Sequence, residues 1–212
     1  MFNGLIREIA GVKFYKNNVL RLIAKYKPNL GDSISINGAC LSVIAVFNDG
    51  FSVELSKESR ECIAIENLKN NVHIEPALKY GDRIEGHLMQ GHIDSIGELI
   101  HIKKHENGVD FYINVPKEII PLTPNKGSIG IDGISLTINE VFSEKIRVTI
   151  IPITFKESNF KSYNIGRRVN IETDLLARYV FQSLKYKSFL ESNHDKNTQI
   201  TWEYIDKFSS LY

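Results

Sequence analysis

Several side chains that can act as nucleophiles or handle protons lie close to glycines in this sequence. Cys40 comes two residues after a glycine, and Asp132, Ser135 and Thr137 lie around another. A thiol and a hydroxyl can attack or hydrogen-bond a ligand, and a carboxylate can accept a proton. Glycine lets the backbone turn tightly or approach a ligand closely. Two alternatives stay open, because buried cysteines are usually inert and an aspartate here can simply stabilise a turn.

Two histidines lie in another glycine-rich segment. His87 and His92 are each preceded by a glycine. Imidazole titrates near neutral pH, so both are candidates for proton transfer. The alternative is that both are surface residues of a loop. Lys126 is the cation next to the Asp132 block, and a lone lysine is normally a solvated surface charge.

The spacing of these residues does not fit a metal site. His87 and His92 are five residues apart, which is not the one-face helical spacing of a zinc protease motif. Neither Cys40 nor Cys62 belongs to a C-x-x-C pair, and two cysteines in 212 residues are too few for a secreted disulfide framework. We therefore expect no metal.

The segments that carry these residues occur twice. Residues 31–43 (GDSISINGACLSV) match residues 126–138 (KGSIGIDGISLTI) with a constant offset of 95, so Cys40 corresponds to Ser135. Residues 1–6 match residues 88–93 with an offset of 87, which aligns His92 with Leu5. Self-similarity at a fixed distance indicates a duplicated domain. We expect two related pockets that differ in their ability to handle protons.

Both repeats contain short strands and turns. Residues 33–36 and 128–131 alternate polar and apolar side chains, as a strand with one buried face does. Residues 48–50 and, 95 positions later, residues 143–145 predict hairpin turns. Many short strands with almost no helical periodicity favour closed barrels, which leave no exposed sheet edge. The predicted domains are residues 1–85 and 86–173, followed by a helical segment at 174–212.

The helical segment has two parts. Asp174 can cap a helix with apolar residues at helical spacing, and a weaker amphipathic helix follows near the end of the sequence. The apolar positions are Leu175, Leu176, Tyr179, Val180 and Leu184 in the first helix, and Trp202, Ile205, Phe208 and Leu211 in the second. Self-association is a reasonable use for such a stripe.

Charge and hydropathy narrow the range of partners. A formal net charge of +1 gives no long-range attraction to nucleic acid or anionic lipid. The apolar runs are far shorter than the ~20 residues that a membrane helix needs. The start MFNGLIREIAG has neither a basic leader nor an apolar signal core. We expect a cytoplasmic protein that binds a small molecule and neither nucleic acid nor membrane.

Four motifs in this order, MFNGL, INGACLSV, GHLMQGHI and GIDGISLTI, resemble the riboflavin synthase family of the alpha-chain, lumazine-binding type. The resemblance covers residues 1 to about 185. It implies an all-β protein of two tandem six-stranded antiparallel Greek-key-like barrels with a C-terminal α-helix. It also implies a transferase that needs no metal and no redox cofactor.

The resemblance implies a particular reaction and assembly. The enzyme would dismutate two molecules of 6,7-dimethyl-8-ribityllumazine by transfer of a four-carbon unit, giving riboflavin and 5-amino-6-(ribitylamino)uracil. It would be a homotrimer held by its C-terminal helices, in which the N-terminal barrel of one subunit faces the C-terminal barrel of the next. Lumazine synthase is a further partner that the resemblance suggests.

The resemblance also implies which residues form the two pockets. The catalytic set is Cys40, His92, Asp132, Ser135 and Thr137, with His92, Ser135 and Thr137 handling protons and the nucleophile, and Cys40 and Ser42 contacting the other ring. The expected N-terminal pocket is Gly4, Leu5, Ile6, Leu41, Ser42, Glu54, Leu55, Ser56, Lys57, Glu58 and Ser59. The expected C-terminal pocket is Gly91, His92, Ile93, Leu136, Ile150, Ile151, Pro152, Ile153, Thr154 and Phe155. Phe2, Ser33, His87 and Lys126 complete the expected substrate contacts.

Two other functions are compatible with parts of this sequence. A non-catalytic lumazine- or flavin-binding fluorescent antenna protein has the same double barrel, but it is expected to lose the polar set of one barrel. Here all five predicted catalytic residues are present, which favours the enzyme. A flavin-dependent reductase would need a nucleotide-binding domain, and no G-x-G-x-x-G follows a strand.

Overall fold

Two closed antiparallel barrels follow one another along the chain in a computed structural model, which describes residues 1–192. The first barrel consists of β1 (Glu8–Lys16), β2 (Val19–Ile23), β3 (Ser33–Ile36), β4 (Ala39–Phe47), β5 (Gly50–Glu54) and β6 (Asn71–Pro76). Their order around the barrel is β1-β2-β5-β4-β3-β6. The turn at residues 48–50 joins β4 to β5, as predicted.

The second barrel repeats this order. It consists of β7 (Ser95–His105), β8 (Gly108–Asn114), β9 (Ser128–Ile131), β10 (Ile134–Val141), β11 (Lys145–Ile150) and β12 (Arg168–Thr173). Around the barrel the order is β10-β11-β8-β7-β12-β9, which is the order of the first barrel with each strand replaced by its repeat. The predicted fold class, two six-stranded antiparallel barrels with a C-terminal helix, is confirmed.

Each barrel has its own core because side chains alternate along its strands. In β2 and β5, Leu22 pairs with Phe51 and Leu20 with Val53, and all four side chains are fully buried. The second barrel buries an equivalent cluster around Phe111 and Val148. Burying a side chain of this size contributes about 1.5–3 kcal/mol each, so these clusters are the main stabilisation of the barrels.

Two short helices, which the sequence pattern did not predict, follow the fifth strand of each barrel. They are α1 (Lys57–Cys62) and α2 (Pro152–Glu157), and their starts are 95 residues apart. Ser56 caps α1, since its Oγ accepts a hydrogen bond from Ser59 N at 3.0 Å. No side chain caps α2, which instead begins with proline, whose fixed φ suits the first turn.

The C-terminal helix begins where the sequence predicted. α3 (Leu175–Ser192) follows Asp174, whose Oδ1 accepts a hydrogen bond from Leu176 N at 2.8 Å. Residues 1–178 form one compact unit, and a second unit begins at Tyr179. Within the described part of the chain, no helix is long and apolar enough to cross a membrane. The second predicted helix, near Trp202, lies outside the described residues.

Candidate active site

The segment that precedes each barrel crosses to the other barrel. Phe2 pairs with Met89 through two backbone hydrogen bonds of 2.7 and 3.0 Å. Beyond this bridge, Gly4 O accepts a hydrogen bond from Ser135 N at 2.8 Å. In the matching position, Gly91 O accepts a hydrogen bond from Cys40 N at 2.9 Å. The N-terminal segment therefore lies against the second barrel, and the segment between the barrels lies against the first.

Only glycine fits at the two crossing points. Gly4 and Gly91 have φ values of +75° and +78°, which side chains rarely adopt. A Cβ at Gly91 would lie 2.5 Å from Cys40 Cβ, and one at Gly4 would lie 2.7 Å from Ser135 Cβ. The glycines of MFNGL and MQGHI thus allow each segment to lie directly on a strand of the opposite barrel.

This crossing corrects the predicted division of the pocket residues. Gly91, His92 and Ile93 were assigned to the C-terminal pocket, yet they line a cavity of the N-terminal barrel. Gly4 was assigned to the N-terminal pocket, yet it lies on Ser135, and Ile6 packs against the core of the C-terminal barrel. The sequence repeat associates each segment with the barrel that follows it, and it contains no information on which barrel the segment contacts.

Two buried glutamates hold the crossing segments. The Glu75 carboxylate accepts hydrogen bonds from the backbone N–H groups of Asn3, Gly4 and Leu5 at 2.9, 3.0 and 3.3 Å. Glu172 accepts from Gln90 N at 2.6 Å and from Gly91 N at 3.0 Å. Burial raises the pKa of both carboxyls. Neither glutamate was among the predicted site residues, although the V-x-I-E sequence that β6 and β12 share could have identified them.

A cavity of about 420 Å³ opens beside the N-terminal barrel and brings Cys40 and His92 together. The exposed His92 lies on the crossing segment, and Cys40 lies on β4. The cavity is lined by Ala39, Cys40, Glu58, Ser59, Cys62, Ile63, Gly91, His92 and Ile93. It therefore combines a thiol and an imidazole that were predicted for different sites, and adds Cys62, which was not predicted.

The matching position in the C-terminal barrel is covered by residues 86–87. His87 Nδ1 lies 2.7 Å from Ser135 Oγ, and a Cβ at Gly86 would lie 2.9 Å from Ser135 Cβ. His87 is 8% exposed, and burial lowers the pKa of its imidazole, which keeps the ring neutral. Its Nε2 is buried without a hydrogen-bond partner among the described residues. The N-terminal barrel thus has the Cys40 thiol beside a cavity, whereas the C-terminal barrel has the Ser135 hydroxyl hydrogen-bonded to His87.

Asp132 has a structural environment rather than a catalytic one. Its side chain is fully buried and accepts hydrogen bonds from Tyr163 OH at 2.5 Å and from Asn170 N at 2.8 Å, with Arg167 NH2 at 3.6 Å. Burial raises the pKa of this carboxyl. Asn37 at the matching position accepts from His73 N at 2.9 Å. The predicted catalytic role is therefore replaced by the alternative, a residue that fixes a turn to the closing strand of its barrel.

The remaining predicted contacts differ in how deeply their side chains are buried. Cys40 and Ser42 point away from the core of the barrel, whereas Leu41 points into it. Side chains that point into a core, and so cannot contact a ligand in the pocket, are those of Leu41, Leu55, Leu136 and Ile150. Phe2 is 1% exposed at the bridge between the segments. Exposed side chains are those of Ser42, Glu54, Ser56, Lys57, Glu58, Lys126, Thr137, Ile151, Pro152 and Ile153, and partly buried ones are those of Leu5, Ile6, Ser33, Ser59, Thr154 and Phe155.

The fold is that of a lumazine-binding double barrel. The lumazine binding domain family matches residues 3–77 and 90–174, one copy for each barrel. Crystal structures of LumP have the same fold. The complex with riboflavin has a TM-score of 0.73 and 22% identity, and covers 82% of this chain and 99% of LumP. The complex with 6,7-dimethyl-8-(1'-D-ribityl) lumazine has a TM-score of 0.71, 21% identity and the same coverage of 82% and 99%.

Curated sequences identify the family more closely. Riboflavin synthase of Photobacterium leiognathi is 34% identical over 213 residues, which is 96% of this chain and 97% of that protein. Riboflavin synthase of Bacillus subtilis (strain 168) is 30% identical, with 95% of each chain covered. The chain belongs to the riboflavin synthase family, which is a family of enzymes. The resemblance stated from the four motifs is confirmed.

Proposed function

We propose that this enzyme converts two molecules of 6,7-dimethyl-8-ribityllumazine into riboflavin and 5-amino-6-(ribitylamino)uracil. The observation that carries the proposal is the pair of related cradles at Cys40 and Ser135, each built from one barrel and the crossing segment of the other. A reaction between two copies of one compound needs two sites of this kind. The two products together contain the atoms of the two substrates, so the transfer of the four-carbon unit requires no external oxidant.

The chemistry assigns different tasks to the two sites. One lumazine must lose a proton from its C7 methyl group, and the other must be attacked at C7 by a nucleophile, a hydroxyl or water. His92 lines the cavity with Cys40, so we assign these two residues to one ring. Ser135 and His87 are hydrogen-bonded and serve the other ring, with Thr137 exposed on the same strand. Positioned imidazoles contribute ~10²–10⁴-fold to proton transfer.

We further propose that the working site forms between subunits of a homotrimer. Ile151 and Ile153 are 55% and 66% exposed beside Thr154, which favours a second surface or a ligand ring that covers them. On α3, Tyr179, Val180 and Leu184 are exposed and supply an apolar stripe for association. Holding two flat rings face to face makes the reaction effectively unimolecular, an advantage that reaches ~7 kcal/mol or more. A cytoplasmic location and an association with lumazine synthase stay predictions.

The test is incubation of the purified protein with 6,7-dimethyl-8-ribityllumazine alone. Growth of riboflavin absorbance, with release of the uracil product in equal amount, supports the enzyme. Capture of one unaltered equivalent per chain would overturn it and identify an antenna protein instead. A parallel sample with riboflavin alone measures how many product molecules each chain binds, which separates weak turnover from weak binding.

A further inference from the structure

Asn170, in β12, reaches from the C-terminal barrel into the N-terminal one. Its Nδ2 donates to Asn37 O at 2.8 Å, and its Oδ1 accepts from Ala64 N at 2.7 Å. Ala64 directly follows Cys62 and Ile63, two residues of the cavity lining. Residues 57–67, which contain α1, form one wall of the cavity in the first barrel. A single side chain of the second barrel therefore fixes this wall.

His73, in β6, makes the reciprocal pair of contacts. Its Nδ1 lies 3.3 Å from Asp132 O, and its Nε2 accepts from Asn159 N at 2.8 Å. Asp132 and Asn159 are each 95 residues after the partners of Asn170, so the two sets of bonds match one another. Asn159 begins the turn that follows α2. Residues 152–162, which contain α2 and this turn, are the counterpart of residues 57–67 and form the wall of the C-terminal barrel.

These contacts fix the tautomer of His73. The carbonyl oxygen of Asp132 can only accept and the N–H of Asn159 can only donate. Nδ1 of His73 therefore carries the hydrogen, and Nε2 is unprotonated. A second proton on Nε2 would point at the Asn159 N–H and break that bond. An asparagine makes both contacts without a proton change, because its amide supplies a donor and an acceptor at every pH. The two walls are therefore anchored in the same way, but only one anchor can titrate.

We propose that His73 and Asn170 are positioning residues, each of which fixes the ligand-site wall of the opposite barrel, and that His73 makes the wall of the C-terminal barrel alone sensitive to acid. Calling these walls ligand sites rests on the proposed function. The anchoring itself does not, since it is a property of the ligand-free chain.

The surroundings of His73 determine the direction of the effect. The pKa of His73 is lowered to about 4, chiefly by burial; the hydrogen bond to Asp132 O raises it, and the nearby Arg167 guanidinium contributes to the lowering. The Phe160 ring packs against the imidazole in a T-shaped arrangement, with 5.9 Å between the ring centroids. The Asp132 carboxylate and the Tyr163 hydroxyl, which bond each other, are the other titratable groups beside this anchor.

The sign of the pH effect follows from linkage. A histidine exposed by opening of the wall titrates at about 6.5, whereas the buried ring titrates near 4, so the open state binds the proton more tightly. The free energy needed to open the wall of the C-terminal barrel is therefore largest above pH ~6.5, and it falls as the pH falls towards 4. Between pH 7 and pH 5 the opening equilibrium should rise about 20-fold. Asp132 acts in the opposite direction because burial raises the pKa of its carboxyl.

Hydrogen exchange of the ligand-free protein at pH 7 and pH 5, corrected for the intrinsic pH dependence of amide exchange, tests the proposal. Protection of residues 152–162 should fall about 20-fold on acidification, while residues 57–67 keep theirs. His73→Asn should abolish the fall, and Asn170→His should add a similar fall at residues 57–67 while residues 152–162 keep theirs. Both variants keep Asp132, so its titration cancels in the comparison.

Several outcomes would overturn the proposal. Equal loss of protection in both walls of the unsubstituted protein, or an unchanged fall in His73→Asn, would show that another group is responsible. If one variant does not fold, the other still tests the proposal, because His73→Asn removes an acid-sensitive anchor and Asn170→His adds one. A titration with riboflavin at both pH values separates this proposal from the proposed function: a wall that responds as expected in a chain that binds no riboflavin would contradict only the function.

Discussion

Cys40 and Ser135 occupy the same position in two barrels, yet their surroundings differ. The thiol lines a cavity with His92, whereas the hydroxyl is hydrogen-bonded to His87. Each cradle therefore has one nucleophilic group and one imidazole, arranged differently. This difference suits a reaction in which two copies of one compound have different fates.

Replacing His92 by alanine should lower turnover by ~10²-fold and change ligand affinity much less, because proton transfer needs the imidazole whereas binding uses the whole cavity. Steady-state rates of riboflavin formation and fluorescence titration with the lumazine measure the two effects. The matched control is His101→Ala, which removes an exposed imidazole from β7. Unchanged turnover in His92→Ala would remove this residue from the mechanism.

Replacing Glu172 by glutamine should disturb the cavity that contains Cys40 and His92, although Glu172 does not line it. The amide has one oxygen that accepts and an NH2 group that only donates, so one of the N–H groups of Gln90 and Gly91 loses its bond, at a cost of about 1–3 kcal/mol. Chemical denaturation measures the loss, and hydrogen exchange should locate it at residues 89–93. The matched variant Glu75→Gln should loosen residues 3–5 instead. If both variants loosen the same segment, the crossing arrangement is incorrect.

Residue roles were predictable from the sequence only where they depend on local geometry. The turn role of Asp132 was left open as an alternative on its match to Asn37, and alternation along β4 could have separated Cys40 from Leu41, which was expected in the pocket. The backbone N–H groups that Glu75 and Glu172 accept from lie 70 or more residues away, so the sequence could not reveal these contacts. The assignment of His92 to the wrong cradle has the same cause, since it depends on a contact between distant segments.

At the scale of elements, the crossing segments (residues 1–7 and 86–94) contain neither a named strand nor a helix. They are held by backbone bonds to β4 and β10 and by one buried carboxylate each. Their conformation depends on glycines that approach the neighbouring strand too closely for any side chain. The position of each cradle is thus determined by a few backbone contacts.

Gly91→Ala should therefore destabilise the protein and close the N-terminal cavity. The added Cβ would lie 2.5 Å from Cys40 Cβ, and such overpacking costs about 1–3 kcal/mol beyond the strain of a positive φ. Gly31→Ala is the matched control, because Gly31 has a φ of +83° with no atom within 4 Å of an added Cβ. Denaturant unfolding and ligand titration compare the two. An equal loss of stability in both variants would show that the close approach has no energetic role.

The elements themselves were largely predictable. Period-two alternation and hairpin turns identified β3, β9 and the β4–β5 and β10–β11 connections. The helices α1 and α2 were missed because six residues are fewer than two turns, too few to show a helical period. Their role as walls depends on contacts from the other barrel, which no local pattern contains.

At the scale of the whole molecule, residues 1–178 form one compact unit that contains both barrels. The barrels are joined by reciprocal bonds from the crossing segments and from His73 and Asn170. Arg178, the last residue of this unit, forms ion pairs with Asp94 at 3.1 Å and with Glu172 at 3.5 Å. The residues of both cradles therefore lie within this unit.

Truncation after Arg178 should yield monomers that still bind riboflavin but form it at least tenfold more slowly, because the two rings then meet only by collision. Sedimentation and rate measurements over a range of protein concentrations provide the test. Keeping Arg178 preserves its ion pair with Glu172, which a deletion from residue 175 would remove. A truncated monomer with full activity would contradict the shared site.

The reciprocal bonds also bear on the ancestry of the chain. Gly38 and Gly133 face each other, with each added Cβ falling within 3 Å of the other's backbone nitrogen. A protein with a single barrel could form every one of these contacts by pairing with its own copy around a two-fold axis. Fusion of two such genes would then have released each half from having to match itself. Asparagine at one position and histidine at its counterpart are what that freedom permits.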